Sequence, residues 1–127
     1  MKLLIDTNRL SDALAEVDEV LSTLESAETI GVPAVALGEI RAGFLEGRRA
    51  AAHEARLQWF LAQDGIATVP VDGPVARRYA EIHHELRRRG RPIPTNDLWI
   101  AATALEHGLV LYTRDAHFDV VPGLART

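Results

Sequence analysis

The chain contains no cysteine, only one lysine, and no apolar run approaching the roughly 20 residues that span a bilayer. The first absence excludes disulfides, thiolate zinc sites and cysteine nucleophiles together, and it fits a reducing compartment. Because Met1-Lys2-Leu3-Leu4-Ile5-Asp6 meets an acid too early for a signal-peptide core, a soluble cytoplasmic protein is expected. Histidine is also too scattered to suggest a zinc set. His83 and His84 are neighbours that face different ways on a helix, while His53, His107 and His117 follow no ligand spacing.

What remains is ordinary for a globular protein. The 127 residues are 47% hydrophobic and 25% charged, which suits a single domain over residues 1–127 with a real core. The net charge of −4 argues against a broad phosphate binder. Yet 13 of the 14 cationic residues are arginine, and several are grouped: Arg48-Arg49, Arg77-Arg78, and Arg87-Arg88-Arg89 with Arg91. Arginine meets phosphate as a bidentate fork, so acids gathered at a metal site could coexist with a basic rim.

No repeat, low-complexity tract or domain linker interrupts the chain. Lys2 to Ile5 reads as a strand, Val17 to Ala27 as a helix, and Thr29 to Val32 as a second strand stopped by Pro33. Val35 to Glu46 and Ala50 to Gln63 read as helices, and Ala67 to Val71 as a third strand. Asp72-Gly73-Pro74 starts a helix carrying Val75, Tyr79, Ile82 and Leu86, which Gly90 ends. Thr95 or Asn96 caps the next helix, apolar on more than one face, which closes at His107-Gly108 before the strand Leu109 to Thr113. Alternation of this kind predicts a parallel sheet between helix layers.

Carboxylates mark the ends of two strands. Asp6 closes the first and Asp115 follows the last; if these strands are parallel neighbours, both acids lie at the edge where such folds bind ligands. Asp97 opens the helix before the last strand, and Glu39 lies in an earlier helix. Carboxylates brought together repel unless a cation joins them, so the set suggests an oxygen-ligand site for Mg2+ or Mn2+. Each residue also has a plainer explanation. Asp6 and Asp115 can cap the turns that follow them, and Asp97 is favourable near a helix N-terminus. Glu39 points away from the Leu37, Ile40 and Phe44 stripe, where a solvated face would explain it, although Ala42 beside it leaves room for a cleft. The arginines from Arg87 to Arg91 complement a helix C-terminus as readily as they would hold RNA phosphates.

Taken together the motifs are more specific. Leu3-Leu4-Ile5-Asp6-Thr7-Asn8, Glu39 in a mid-chain helix, Asn96-Asp97-Leu98-Trp99-Ile100-Ala101-Ala102, and Leu111-Tyr112-Thr113-Arg114-Asp115-Ala116-His117-Phe118 occur in an order that resembles the PIN domain of VapC-type toxins. The resemblance covers essentially the whole chain, including the Val121-Pro122-Gly123-Leu124 tail. It implies a PIN-like α/β fold with a central parallel sheet of four to five strands flanked by helices on both faces. It also implies that Asp6, Glu39, Asp97 and Asp115 form an acidic quartet holding Mg2+ or Mn2+, with Asn8 and Thr113 as supporting residues. Asp119 could act as an outer acid, or Asp119-Val120-Val121 could begin a short edge strand.

The function so implied is that of an endoribonuclease toxin cutting structured RNA, such as a tRNA or rRNA loop, by metal-activated water attack that leaves a 5′-phosphate and a 3′-hydroxyl. The implied partner is a cognate VapB-type antitoxin that inserts an arginine into the acidic pocket, with Leu45, Leu57, Trp59 or Phe60 holding the rest of its segment. A homodimer, and a heterotetramer or larger assembly with the antitoxin, are expected. Two alternatives remain. One is a metal-free RNA- or protein-binding module of the same fold. The other is a haloacid-dehalogenase-like phosphohydrolase, since Asp6-Thr7-Asn8 faintly resembles its Asp-x-Asp start, but that chemistry needs a lysine late in the chain and Lys2 is the only one.

Overall fold

Four apolar runs form four parallel strands in the computed structural model, which describes residues 1–127. They are β1 (Lys2–Ile5), β2 (Thr29–Pro33), β3 (Ile66–Val69) and β4 (Val110–Tyr112), standing in the order β3-β2-β1-β4. Helices α1 (Thr7–Leu14) and α2 (Asp18–Ser26) link β1 to β2; α3 (Ala34–Glu46) and α4 (Ala50–Leu61) link β2 to β3; α5 (Gly73–Arg88) and α6 (Thr95–His107) carry the chain across to β4. This is the expected parallel sheet between helix layers. No helix is long and apolar enough to cross a membrane.

Side chains of successive strand residues point to opposite faces, and the core divides accordingly. Leu3 and Ile5 pack with Leu10, Val20, Ile40 and Leu57 from the first four helices. Leu4 and Leu111 pack with Val75, Leu86, Ile100 and Phe118 on the other face. Each fully buried aliphatic side chain of this kind contributes about 1.5–3 kcal/mol through its removal from water. Between the layers Gly31 allows close packing. A Cβ there would stand 2.9 Å from Val69 Cγ2 and 3.1 Å from Leu4 Cδ1.

The topology places the site. The chain moves from β1 outward through β2 to β3, then returns to add β4 on the other side of β1. Strand order therefore reverses between β1 and β4, and the crevice beyond their carboxyl ends is the switch point at which open α/β sheets bind ligands. The two strands are in register from Leu3↔Val110 to Ile5↔Tyr112, and Asp6 N donates to Tyr112 O at 3.2 Å.

Several boundaries match the sequence reading. Asp72 Oδ1 accepts from Val75 N at 3.1 Å with proline in the first turn of α5, and Gly108 closes α6 in the left-handed region at φ 63°. Other features differ. Thr7–Leu14 is a helix rather than a turn, because Asp6 caps it and Leu10, Ala13 and Leu14 bury one face. The residue before α6 is Pro94, so neither Thr95 nor Asn96 caps it. Residues Ala116–Val120 form a 3-10 turn, so Asp119-Val120-Val121 begins no strand; only an isolated bridge, Leu111 to Arg126, extends the sheet beyond β4. Leu57 is a core residue, 0% exposed, and cannot line a binding groove, whereas Phe60, largely buried, lines a groove with Leu21, Leu24 and Trp59, and Leu45 and Trp59 stand 80% and 68% exposed.

Candidate active site

Asp6 is the anchor of the site and is nearly inaccessible, at 3% exposure. Its Oδ1 accepts from Arg9 N at 2.8 Å, capping α1, while its Oδ2 accepts from Thr113 Oγ1 at 2.5 Å. The capping explanation of this residue is therefore realised by one oxygen, while the other faces the end of β4. Burial pushes the Asp6 carboxyl above the ordinary aspartate value, opposed by the Thr113 and Arg9 hydrogen bonds and by the Arg9 charge, and reinforced by Asp115.

Thr113 joins the two strand ends. Its hydroxyl donates to Asp6 and accepts from Asp115 N at 3.0 Å, so one side chain sets the spacing of the two acids. Asp115 Oδ1 in turn accepts from His117 N at 2.9 Å, capping the 3-10 turn. Asp97 lies in the first turn of α6, half-buried, and its carboxyl is raised by burial first, with Asp115 and Glu39 adding repulsion and His117 opposing. Glu39 reaches the same region from α3, where its Oε1 accepts from Thr7 Oγ1 at 2.7 Å. The periodicity of α3 turns Glu39 away from the Leu37 and Ile40 stripe, and that outward face borders the switch point instead of open solvent.

Other expected residues fall elsewhere. Asn8 is exposed on α1 and lines a neighbouring groove with Ile40, Phe44 and His53. Asp119 lines the same cleft as Asp115, but its carboxylate is engaged by Arg126. The sole lysine, Lys2, begins β1 at the edge opposite Asp6, so no lysine can neutralise a phosphoryl group there. The residue that sequence reasoning dismissed is His117, whose Nδ1 lies 3.1 Å from Asp97 Oδ2 and 3.2 Å from Asp115 Oδ1.

The donor set fits a divalent cation. Two carboxyls, Asp6 and Asp97, are held above their ordinary value by burial and by neighbouring acids, which is the condition a bound cation relieves. The neighbouring arginines offset these acids only in part, Arg9 through its charge on Asp6. Arg9 lies over the Tyr112 ring at 4.6 Å and 3.6 Å from Asp12, and Arg114 pairs with Asp12 at 2.8 Å. A cleft of about 500 Å3 opens beside the acids, lined by Thr113, Arg114, Asp115, Asp119 and Arg126 among others.

A parallel α/β domain with a carboxylate cluster at its strand-order reversal is the class of protein defined by fold and site together. The PIN domain profile matches residues 3–124. Ribonuclease VapC4 of Mycobacterium tuberculosis is 34% identical over 92 residues, covering 72% of this chain and 71% of that protein. Among solved structures, a VapBC-5 complex of the VapBC family of toxin-antitoxin systems, also from M. tuberculosis, aligns at TM-score 0.72 and 30% identity over 100% of this chain and 97% of that one. VapBC2 of Rickettsia felis bound to a promoter DNA fragment aligns at TM-score 0.90 over 100% and 98% of the two chains, and at 24% identity it speaks for the fold alone. The chain belongs to the PIN domain family, in its VapC-type branch.

Proposed function

We propose that this chain is the toxin of a type II toxin–antitoxin pair, a metal-dependent endoribonuclease that hydrolyses structured RNA at the β1–β4 switch point. The observation that carries the reading is the convergence of Asp6, Asp97 and Asp115, with Glu39 beside them, in a family whose relatives include a named ribonuclease. These four acids would hold Mg2+ or Mn2+, and the ion would supply a lowered pKa for the attacking water and neutralise charge developing on the phosphodiester.

The chain's own residues orient and exclude. Thr113 fixes Asp6, and Thr7 fixes Glu39, so two of the four carboxylates are held by hydroxyls from neighbouring elements before any ion arrives. Arg114 and Arg126 line the cleft paired with Asp12 and Asp119, and each would exchange its carboxylate partner for an approaching phosphate backbone. Water attack on phosphorus with departure of the 3′-oxygen yields a 5′-phosphate and a 3′-hydroxyl. An unpaired loop, whose bases can be splayed away from the strand, is the substrate that a half-open cleft of this kind accepts most readily.

The named VapBC complexes support a VapB-type antitoxin as partner. An arginine of that antitoxin would enter the acidic pocket, and exposed Leu45 and Trp59 on α3 and α4 offer apolar contacts for its segment. A homodimer is expected, and light scattering that gave a monomer at micromolar concentration would oppose it. The decisive experiment incubates purified protein with total RNA in Mg2+, Mn2+ or EDTA and sequences the new 5′-phosphate ends. Discrete cuts that disappear in EDTA and in Asp115→Asn are expected; cuts that survive both would remove the acids from the mechanism.

A further inference from the structure

Four of the five histidines lie outside the acid cluster, but His117 turns its ring into it. Nδ1 is 3.1 Å from an Asp97 oxygen and 3.2 Å from an Asp115 oxygen, and the donor atoms of the three residues all lie within 4.8 Å of one another. One N–H can aim along one line, so a single proton cannot make two good hydrogen bonds to both acids. The Asp97 contact has hydrogen-bond geometry when Nδ1 carries the proton; when it does not, the same nitrogen presents a lone pair within 3.2 Å of both carboxylates.

The placement of the ring is built into the fold. Its backbone N–H is tied to Asp115 Oδ1, and the next residue, Phe118, is 1% exposed in the core beneath α6. The imidazole itself is 56% exposed and takes part in neither the aromatic stacks nor the core, so packing does not account for it.

We propose that His117 Nδ1 is a metal ligand of this site, completing with Asp97 and Asp115 a mixed nitrogen–oxygen donor set that takes first-row transition ions in preference to Mg2+. The inference rests on the metal-site reading given above and adds its selectivity. Oxygen ligands suit Mg2+, whereas imidazole favours the transition series, with affinity rising from Mn2+ toward Zn2+ and Cu2+. A rival role for the same contact is a salt bridge in which the imidazolium merely neutralises the acids. The two roles predict opposite effects of removing the ring. A ligand's loss weakens cation binding, while a competing cation's loss strengthens it.

The test uses the full chain. Mn2+ and Mg2+ are titrated calorimetrically into wild type, Asp97→Asn, His117→Ala and His117→Gln, and pulsed electron paramagnetic resonance reads nitrogen coupling to bound Mn2+. Expected are 14N coupling in wild type that vanishes in both His117 variants, and a loss of Mn2+ affinity of about tenfold or more. The Mg2+ affinity should fall much less, so the Mn2+/Mg2+ preference collapses. The Mn2+ spectrum of wild type needs no variant to fold, and His117→Gln guards against a local defect in His117→Ala. Mn2+ that binds wild type, is lost in Asp97→Asn and shows no 14N coupling overturns this assignment and leaves the carboxylate site standing. Equal or tighter Mn2+ binding by His117→Ala also overturns it. Wild type that binds no Mn2+ overturns both.

Discussion

Thr113 Oγ1 lies 2.5 Å from Asp6 Oδ2, a hydrogen bond between residues 107 positions apart that joins the carboxyl ends of β1 and β4. The same oxygen accepts from Asp115 N, so the contact couples strand pairing to the spacing of two site acids. Thr113→Val keeps the shape and removes the hydroxyl. It leaves a buried carboxylate without its donor, with an expected cost of about 1–3 kcal/mol and weakened cation binding. Thr113→Ser should restore both. Urea unfolding of the three proteins checks this, and a valine variant as stable as wild type would show that the bond is energetically idle.

Asp6 and Asp97 make the metal-free fold sensitive to pH in a definite direction. Both carboxyls are raised above the ordinary 3.8, chiefly by burial. The folded state therefore holds these protons more tightly than the unfolded one, and the stability they contribute is present below 3.8 and lost as pH rises through the raised values. In EDTA, Asp97→Asn should melt at or above wild type, with the gap widening as pH climbs through that window. Mn2+ should reverse the order. A cation bound only by the native state stabilises it by about 2.7 kcal/mol at a hundredfold excess over Kd, and the variant should lose most of that increment. Paired melts across pH in EDTA and in Mn2+ decide, and a wild type indifferent to millimolar Mn2+ would count against the metal site.

The basic end of α5 separates into paired and free cations. Arg88 and Arg89 both close on Glu85, at 2.7 Å, whereas Arg87 and Arg91 enter no ion pair and stand exposed. Since α5 runs into the loop that delivers Asp97, the free pair lies at the site's edge of the molecule. Removal of Arg87 and Arg91 should lower the salt dependence of RNA binding by about 0.7 per lost phosphate contact on a log–log plot. Neutralising Arg88 and Arg89 should change it less. Filter binding of a single-stranded loop RNA to an Asp115→Asn background, at several salt concentrations, distinguishes the pairs; equal slopes would make the run a helix-end feature only.

Phe118 is the plug that holds the 3-10 turn against α6 and β4. Phe118→Ala should cost about 3–5 kcal/mol by cavity formation, and it should also loosen Asp115 and His117, whose backbone follows the same turn. Conservative Phe118→Leu should cost much less and retain RNA cleavage. Chemical denaturation with a cleavage assay at saturating Mn2+ tests both parts, and full activity in the alanine variant at temperatures where it is folded would uncouple the plug from the site.

The sequence by itself determined the alternation of strands and helices, because apolar runs, an Asp72 cap with Pro74 and a left-handed Gly108 are local chemistry. It also placed Asp6 and Asp115 at strand ends, since a charged residue terminates a strand buried on both faces. It could not settle Glu39 or His117. Helical periodicity records only whether a side chain faces its own helix's apolar stripe, and Glu39 faced away from it. The tertiary structure decided what lay on that other side: Thr7, and the acid cluster beyond it. His117 had no ligand spacing along the chain, because its partner Asp97 is 20 residues earlier and meets it only when β4 adds beside β1 and carries the 3-10 turn back over the start of α6. Leu57 failed as a groove residue for the same reason. Its apolarity was legible, but which face of α4 met the sheet depended on how α3 and α4 packed over β2 and β3.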